Sequence, residues 1–141
     1  MTKSILITGA SSGIGRAVAC EMAQRGYALA LASQRVDQIN ELKAEIEQQC
    51  APPAVVVRGL DVTDYDDVYR AVDEAAAALG GLDIVFANAG VGLGERVGRG
   101  DFEKARRTIE VNLIGAIATI DAAAAHFLKK GKGHIVGISS V

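Results

Sequence analysis

Thr8-Gly9-Ala10-Ser11-Ser12-Gly13-Ile14-Gly15 follows the apolar run Ser4-Ile5-Leu6-Ile7 and opens a segment in which Ile14, Val18 and Met22 share one helical face. A strand, a glycine loop and a helix in that order are suited to holding a pyrophosphate. Glycine permits the tight turn and close backbone approach, and the N–H groups at the helix start favour an anion. Gly9, Gly13 and Gly15 are spaced GxxxGxG, one residue longer than the GxGxxG dinucleotide fingerprint. No Lys-Ser or Lys-Thr follows Gly15, which removes the P-loop reading. A glycine-rich turn without a ligand is the bland alternative, and the strand-to-helix context weighs against it.

Outward from this loop, short apolar runs alternate with longer amphipathic segments. Strands are predicted at Ser4 to Ile7, Tyr27 to Ala32, Ala54 to Val57, Asp83 to Ala87 and Ile135 to Ile138. Apolar on both faces, they read as a parallel sheet covered by helices on both sides. Ile39, Leu42 and Ile46 mark the second helix, and Val68, Val72, Ala75 and Leu79 the third, with Thr63 expected as its N-cap and Asp66 in an acidic first turn. A longer fourth helix, Ile109 to Lys130, carries Ile109, Leu113, Ile117, Ile120, Ala124 and Phe127 on one face. Asn112, Thr119 and an alanine-rich stretch form a second, smooth face, expected to be left open to water. Pro52-Pro53, Gly80-Gly81 and Gly131 to Gly133 punctuate the returns to the sheet. The expected architecture is one α/β domain over 1–141, a doubly wound parallel sheet of the Rossmann type with strand order 3-2-1-4-5.

Composition is that of a globular domain: 141 residues, 50% hydrophobic and 23% charged, with 15 basic and 17 acidic side chains giving a net charge of -2. No basic run points to nucleic acid as a partner, and no apolar stretch is read as approaching the roughly 20 residues that span a bilayer. The opening Met1-Thr2-Lys3-Ser4 leaves no room for a signal peptide's apolar segment, so a cytoplasmic location is expected. Cys20 and Cys50 lack partners at metal-ligand spacing and read as free thiols in a reducing compartment. His126 and His134 likewise have no partner at metal or catalytic spacing and are expected at the surface. No metal site is expected.

Taken together, the glycine loop, Asp61-Val62 after the third strand, Asn88-Ala89-Gly90 after the fourth, Asn112 on the fourth helix and Ile138-Ser139-Ser140 after the fifth strand resemble the short-chain dehydrogenase/reductase family. The resemblance covers the whole chain. It implies a cofactor site made by Gly9, Ser11, Ser12, Gly13, Ile14 and Gly15, by Ser33, Gln34 and Arg35, by Asp61 and Val62, and by Asn88, Ala89 and Gly90. In that family the residue closing the second strand selects the cofactor, and an acid there would repel a 2′-phosphate. This chain has Ser33-Gln34-Arg35, with no carboxylate until Asp37, so NADP is expected over NAD. Asp61 and Val62 would read adenine, and Asn88 would tie its strand end to a neighbour. The implied catalytic residues are Asn112, which bends its helix and holds a proton-relaying water, and Ser140, which hydrogen-bonds the substrate carbonyl.

The implied activity is hydride transfer between a nicotinamide and a small-molecule alcohol or carbonyl substrate. The family's reaction also needs a tyrosine acid/base and a lysine one helical turn later that lowers its pKa. Tyr27, Tyr65 and Tyr69 have no lysine four residues beyond them, so these 141 residues alone are expected to be inactive. A non-catalytic dinucleotide-binding or sensor module is the alternative, and a methyltransferase on a similar sheet a weaker one. A homo-oligomer through the Ile109 to Lys130 helix is also expected, because relatives build a dimer contact there.

Overall fold

Continuous apolar runs can be buried on both faces only between two helical layers, and this is how the strands are found. The computed structural model describes residues 1–94 and 96–139. Its elements are β1 (Ser4–Thr8), α1 (Gly13–Gln24), β2 (Ala28–Ser33), α2 (Val36–Cys50), β3 (Val55–Gly59), α3 (Tyr65–Ala78), β4 (Ile84–Ala87), α4 (Phe102–Ile109), a π segment (Glu110–Gly115), α5 (Ala116–Lys130) and β5 (His134–Gly137). The five strands are all parallel, in the order β3-β2-β1-β4-β5. This is the predicted Rossmann-type topology, and it puts the loops after β1 and β4 side by side at the point where the winding reverses.

Alternation along β1 divides its side chains between two cores. Ile5 and Ile7, with Leu29 and Leu31 of β2, pack under α1 and α2 against Ala19, Ala23, Ile39, Leu42 and Ile46. Leu6, Ala30 and Val85 face the other way, toward Val68 and Val72 of α3 and Val111, Ala123 and Phe127 of the last helical stretch. At the foot of the sheet Asp83 accepts hydrogen bonds from Ser4 N–H (3.0 Å) and Lys130 Nζ (2.9 Å). The lysine bond chiefly, with help from Ser4, holds the Asp83 carboxyl below its ordinary pKa despite partial burial.

Several local expectations are corrected. The third helix is capped by Asp64, whose side chain accepts from Asp67 N–H, because the Thr63 hydroxyl is engaged with Asp61. On α1 the core side is Gly15, Ala19 and Ala23, while Ile14 is exposed. Small residues let that helix lie close to the sheet. His126 is half-buried, with Nδ1 3.8 Å from Asp73 Oδ1, whereas His134 is exposed as expected.

The largest correction concerns the fourth helix, which runs without a break from Phe102 to Lys130 through α4, the π segment and α5. Its alanine-rich face is the buried one: Val111, Ala122, Ala123 and Phe127 join the core with the sheet and α3, Thr119 is buried too, and Gly115 lies against Val62. The Thr119 hydroxyl donates back to Gly115 C=O (2.8 Å), so its polarity is satisfied inside the core. Ile109, Leu113, Ile117 and Ile120 point to solvent instead, with Ile117 54% exposed. Contrary to the sequence reading, this 29-residue helix is long and apolar enough by composition to cross a membrane. One side of it is nevertheless part of the domain's own core.

Candidate cofactor-binding site

Along the carboxyl ends of the strands runs a cleft of about 510 Å³. The β1 loop contributes Gly9, Ser11, Ser12 and Ile14 to its walls, and the β2 end contributes Ser33, Gln34 and Arg35. Val62 lines it beyond β3, and Asn88, Ala89 and Gly90 line it beyond β4. Gly13 and Gly15 shape the first loop without lining the cleft themselves.

Thr8 and Asn88 knot the two central loops together. Thr8 Oγ1 accepts from the N–H groups of Asn88 (3.0 Å) and Ala89 (3.1 Å), while Asn88 Nδ2 donates to the carbonyls of Thr8 (3.2 Å) and Gly9 (3.3 Å). A Cβ on Gly15 would stand 2.3 Å from Gly9 O and 2.6 Å from Asn88 Nδ2, so only glycine lets α1 begin this close to the knot. Gly13 has φ +56, which turns the chain into α1, and a Cβ there would meet nothing within 4 Å. The Ser12 side chain does not cap α1. The helix therefore presents its first N–H groups without a side-chain acceptor.

Ser33 closes β2 almost fully buried, and its hydroxyl is committed. It bonds Ser11 Oγ (3.0 Å) and accepts from Arg35 N–H (3.2 Å), which ties the β2 turn to the glycine loop. Gln34 and Arg35 are exposed beyond it. The Arg35 side chain makes no ion pair or hydrogen bond with the described residues.

Past β3, Asp61 forms a compact turn. Its Oδ1 accepts from Thr63 N–H (2.9 Å) and Thr63 Oγ1 (2.7 Å), and its Oδ2 accepts from Arg107 Nη2 (3.1 Å). Burial pushes the carboxyl's pKa up, but the Thr63 bonds and then Arg107 outweigh it and hold the group below its ordinary value. Asp61 is partly exposed between Leu60 and Val62, which both line the cleft.

Asn112 sits in the π segment, and its amide is exposed. Oδ1 accepts from Val91 N–H (2.7 Å) and Nδ2 donates to Val91 C=O (2.8 Å), a two-way clasp on the loop after β4. A π turn of this kind often marks a functional position. Ser140 and its role lie outside the described residues, and Ser139 is exposed.

A dinucleotide fits what is present. The uncapped start of α1 beside a loop without Cβ at Gly13 suits a diphosphate, and the exposed guanidinium of Arg35 suits a further phosphate. Among the described residues, no three His, Cys, Asp or Glu side chains gather as metal ligands.

The sequence model of the short chain dehydrogenase family matches residues 3–141. The chain belongs to the short-chain dehydrogenase family. An uncharacterized oxidoreductase of Mycobacterium tuberculosis is 43% identical over 139 residues, covering 99% of this chain and 55% of its own length. Among solved short-chain dehydrogenase structures, the alcohol dehydrogenase of the archaeon Thermococcus sibiricus complexed with 5-hydroxy-NADP superposes with TM-score 0.86 at 34% identity, over 96% of this chain and 57% of that one. A short-chain type dehydrogenase/reductase from Mycobacterium marinum gives TM-score 0.91 at 33% identity, over 98% and 56%. The chain thus spans about half the length of the relatives it matches.

Within this short-chain dehydrogenase fold, sequence reasoning missed Thr8, Val91, Val111 and above all Arg107, all on the cleft. Thr8 carried a weak signal as the polar residue ending an apolar strand. Arg107 carried none. Arg106 and Arg107 both have Glu103 and Glu110 within helical reach, and only the fold shows that Arg106 takes both acids while Arg107 turns to Asp61.

Proposed function

We propose that the chain is the cofactor-binding part of an NADP-dependent oxidoreductase acting on a small alcohol or carbonyl compound. The observation that carries this reading is the β2 end: Ser33, Gln34 and Arg35 stand on the cleft wall, and the nearest acid in sequence, Asp37, lies in the exposed first turn of α2. A guanidinium there attracts a 2′-phosphate that a carboxylate would repel. Ser33 serves this by fixing the turn through Ser11 and the Arg35 N–H. Gly9, Ser11, Ser12, Gly13, Ile14 and Gly15 would hold the diphosphate, Asp61 and Val62 the base, and Asn88, Ala89 and Gly90 the nicotinamide ribose. The bound nicotinamide supplies or accepts the hydride.

Asn112 braces Val91 at the cleft wall, and Ser140 is assigned to the substrate carbonyl by resemblance alone. No tyrosine here is placed to act as proton donor. Tyr27 precedes β2 at the opposite end of the sheet, and Tyr65 and Tyr69 stand on α3, where the Tyr69 hydroxyl meets Asp121. The 141 residues alone are therefore proposed to bind cofactor without turning substrate over. The open face of Ile109, Leu113, Ile117 and Ile120 favours a homo-oligomer or further polypeptide packed there. The free Cys20 and Cys50 suit a cytoplasmic location.

Calorimetric titration of the chain with NADPH and NADH tests the reading. NADPH is expected to bind more tightly, and Arg35→Ala to lower its affinity about tenfold with little effect on NADH. Tighter binding of NADH by the unaltered chain would overturn the NADP assignment.

A further inference from the structure

Arg107 comes to the cleft from α4, far along the chain from the other groups that line its β3 side, and two of its nitrogens are engaged there. Nη2 donates to Asp61 Oδ2 (3.1 Å) and Nη1 to Thr63 Oγ1 (3.0 Å). The Thr63 hydroxyl in turn bonds Asp61 Oδ1 (2.7 Å), so the three side chains close a ring. A carboxylate offers about four acceptor positions, and Thr63 N–H, Thr63 Oγ1 and Arg107 occupy three of them. The position left is on Oδ2; because the two oxygens turn together about the Cβ–Cγ bond, Thr63 on Oδ1 and Arg107 on Oδ2 fix the carboxylate plane jointly. Without the guanidinium one of the two anchors is lost, the Thr63 hydroxyl loses its Arg107 donor, and the carboxylate plane is held from Oδ1 alone.

We propose that Arg107 is a positioning residue for base recognition, holding the Asp61 carboxylate at the rim of the cleft so that its remaining acceptor position receives the exocyclic amine of an adenine base. This rests on the dinucleotide reading above and deepens it by naming what sets the preference for the base. It also couples base recognition to α4, whose continuation clasps Val91 through Asn112. The placement of the helix and the choice of base become one property.

The test compares NADPH with its hypoxanthine analogue, in which a ring carbonyl replaces the amine, so that an acceptor faces the carboxylate in place of a donor. The unaltered chain is expected to prefer NADPH. Arg107→Ala should lower that preference about threefold to fivefold, chiefly by weakening NADPH, and Arg107→Lys should recover part of it because the charge is kept. Asp61→Asn sets the full loss for comparison. Melting temperatures of the ligand-free variants control for a merely structural role, which would weaken both ligands alike. Equal weakening of the two ligands, or an unchanged preference in Arg107→Ala while Asp61→Asn abolishes it, overturns this proposal alone. Failure of the unaltered chain to bind either dinucleotide overturns the functional reading and this proposal with it.

Discussion

β2 and β5 are both parallel strands of one sheet, yet every residue of β2 is buried and none of β5 is. β2 is paired on both sides, by β1 and β3, and it lies between α1 and α2 on one face and the α3 core on the other. Among the described residues β5 is paired only with β4. The same contrast separates the two helical ends of the molecule. α2 puts Ile39, Leu42 and Ile46 into the core, whereas the last helix buries alanines and leaves its isoleucines in water. The glycine loop after β1 and the turn after β2 thus stand on the well-enclosed half, where strand ends are fixed from both sides. The half expected to carry substrate chemistry stands on surfaces that are only partly covered.

Truncation in the two halves should expose this contrast most strongly. Leu31→Ala, at a site with no exposure in the middle of β2, is expected to cost roughly 2 to 5 kcal/mol in urea unfolding. A cost below about 1 kcal/mol would show that β2 is less enclosed than its burial says.

A smaller effect is expected from the ion pairs that brace the β3–α3 side. Arg58 donates to both oxygens of Asp67 (2.6 and 2.7 Å), and these bonds pull the Asp67 pKa to about 2. A carboxyl depressed in the folded state adds stability above its unfolded pKa of about 3.9, and that stability disappears as pH falls through the folded value. Asp67→Asn should therefore cost about 1 to 2 kcal/mol at pH 7, after allowance for partial exposure, and almost nothing near pH 2. A cost that stays constant over that range would mean that the loss is one of shape and not of charge.

The smallest effect is expected on the open helix face. Ile117→Ala should change the stability of the monomer by no more than about 0.5 kcal/mol. Sedimentation at rising concentration sharpens the comparison: if the substitution shifts an association equilibrium, the face is used between copies. If it costs as much as Leu31→Ala in dilute solution, the face is buried and the contrast between the halves fails.

Whatever depends on neighbours along the chain was legible in the residues alone. Five apolar runs with glycine or proline between amphipathic stretches specify a parallel doubly wound sheet, because a strand buried on both faces must be unbroken by charge and must be followed by a crossover helix. The glycine loop after β1 was legible for the same reason, since Gly9, Gly13 and Gly15 act within one turn. Which face of the last helix is buried depends instead on how the helix packs in the folded domain. Both faces are apolar, and close approach to α3 and the sheet favours the small side chains of Ala122 and Ala123, and to Val62 the bare Gly115, over the larger Ile117 and Ile120. The structure likewise moved the α3 cap from Thr63 to Asp64 and engaged Ser33 with Ser11. It also brought Arg107 to Asp61 across 46 positions of sequence. Such bonds depend on distances that the folded sheet creates, and a local pattern of residues carries no record of them.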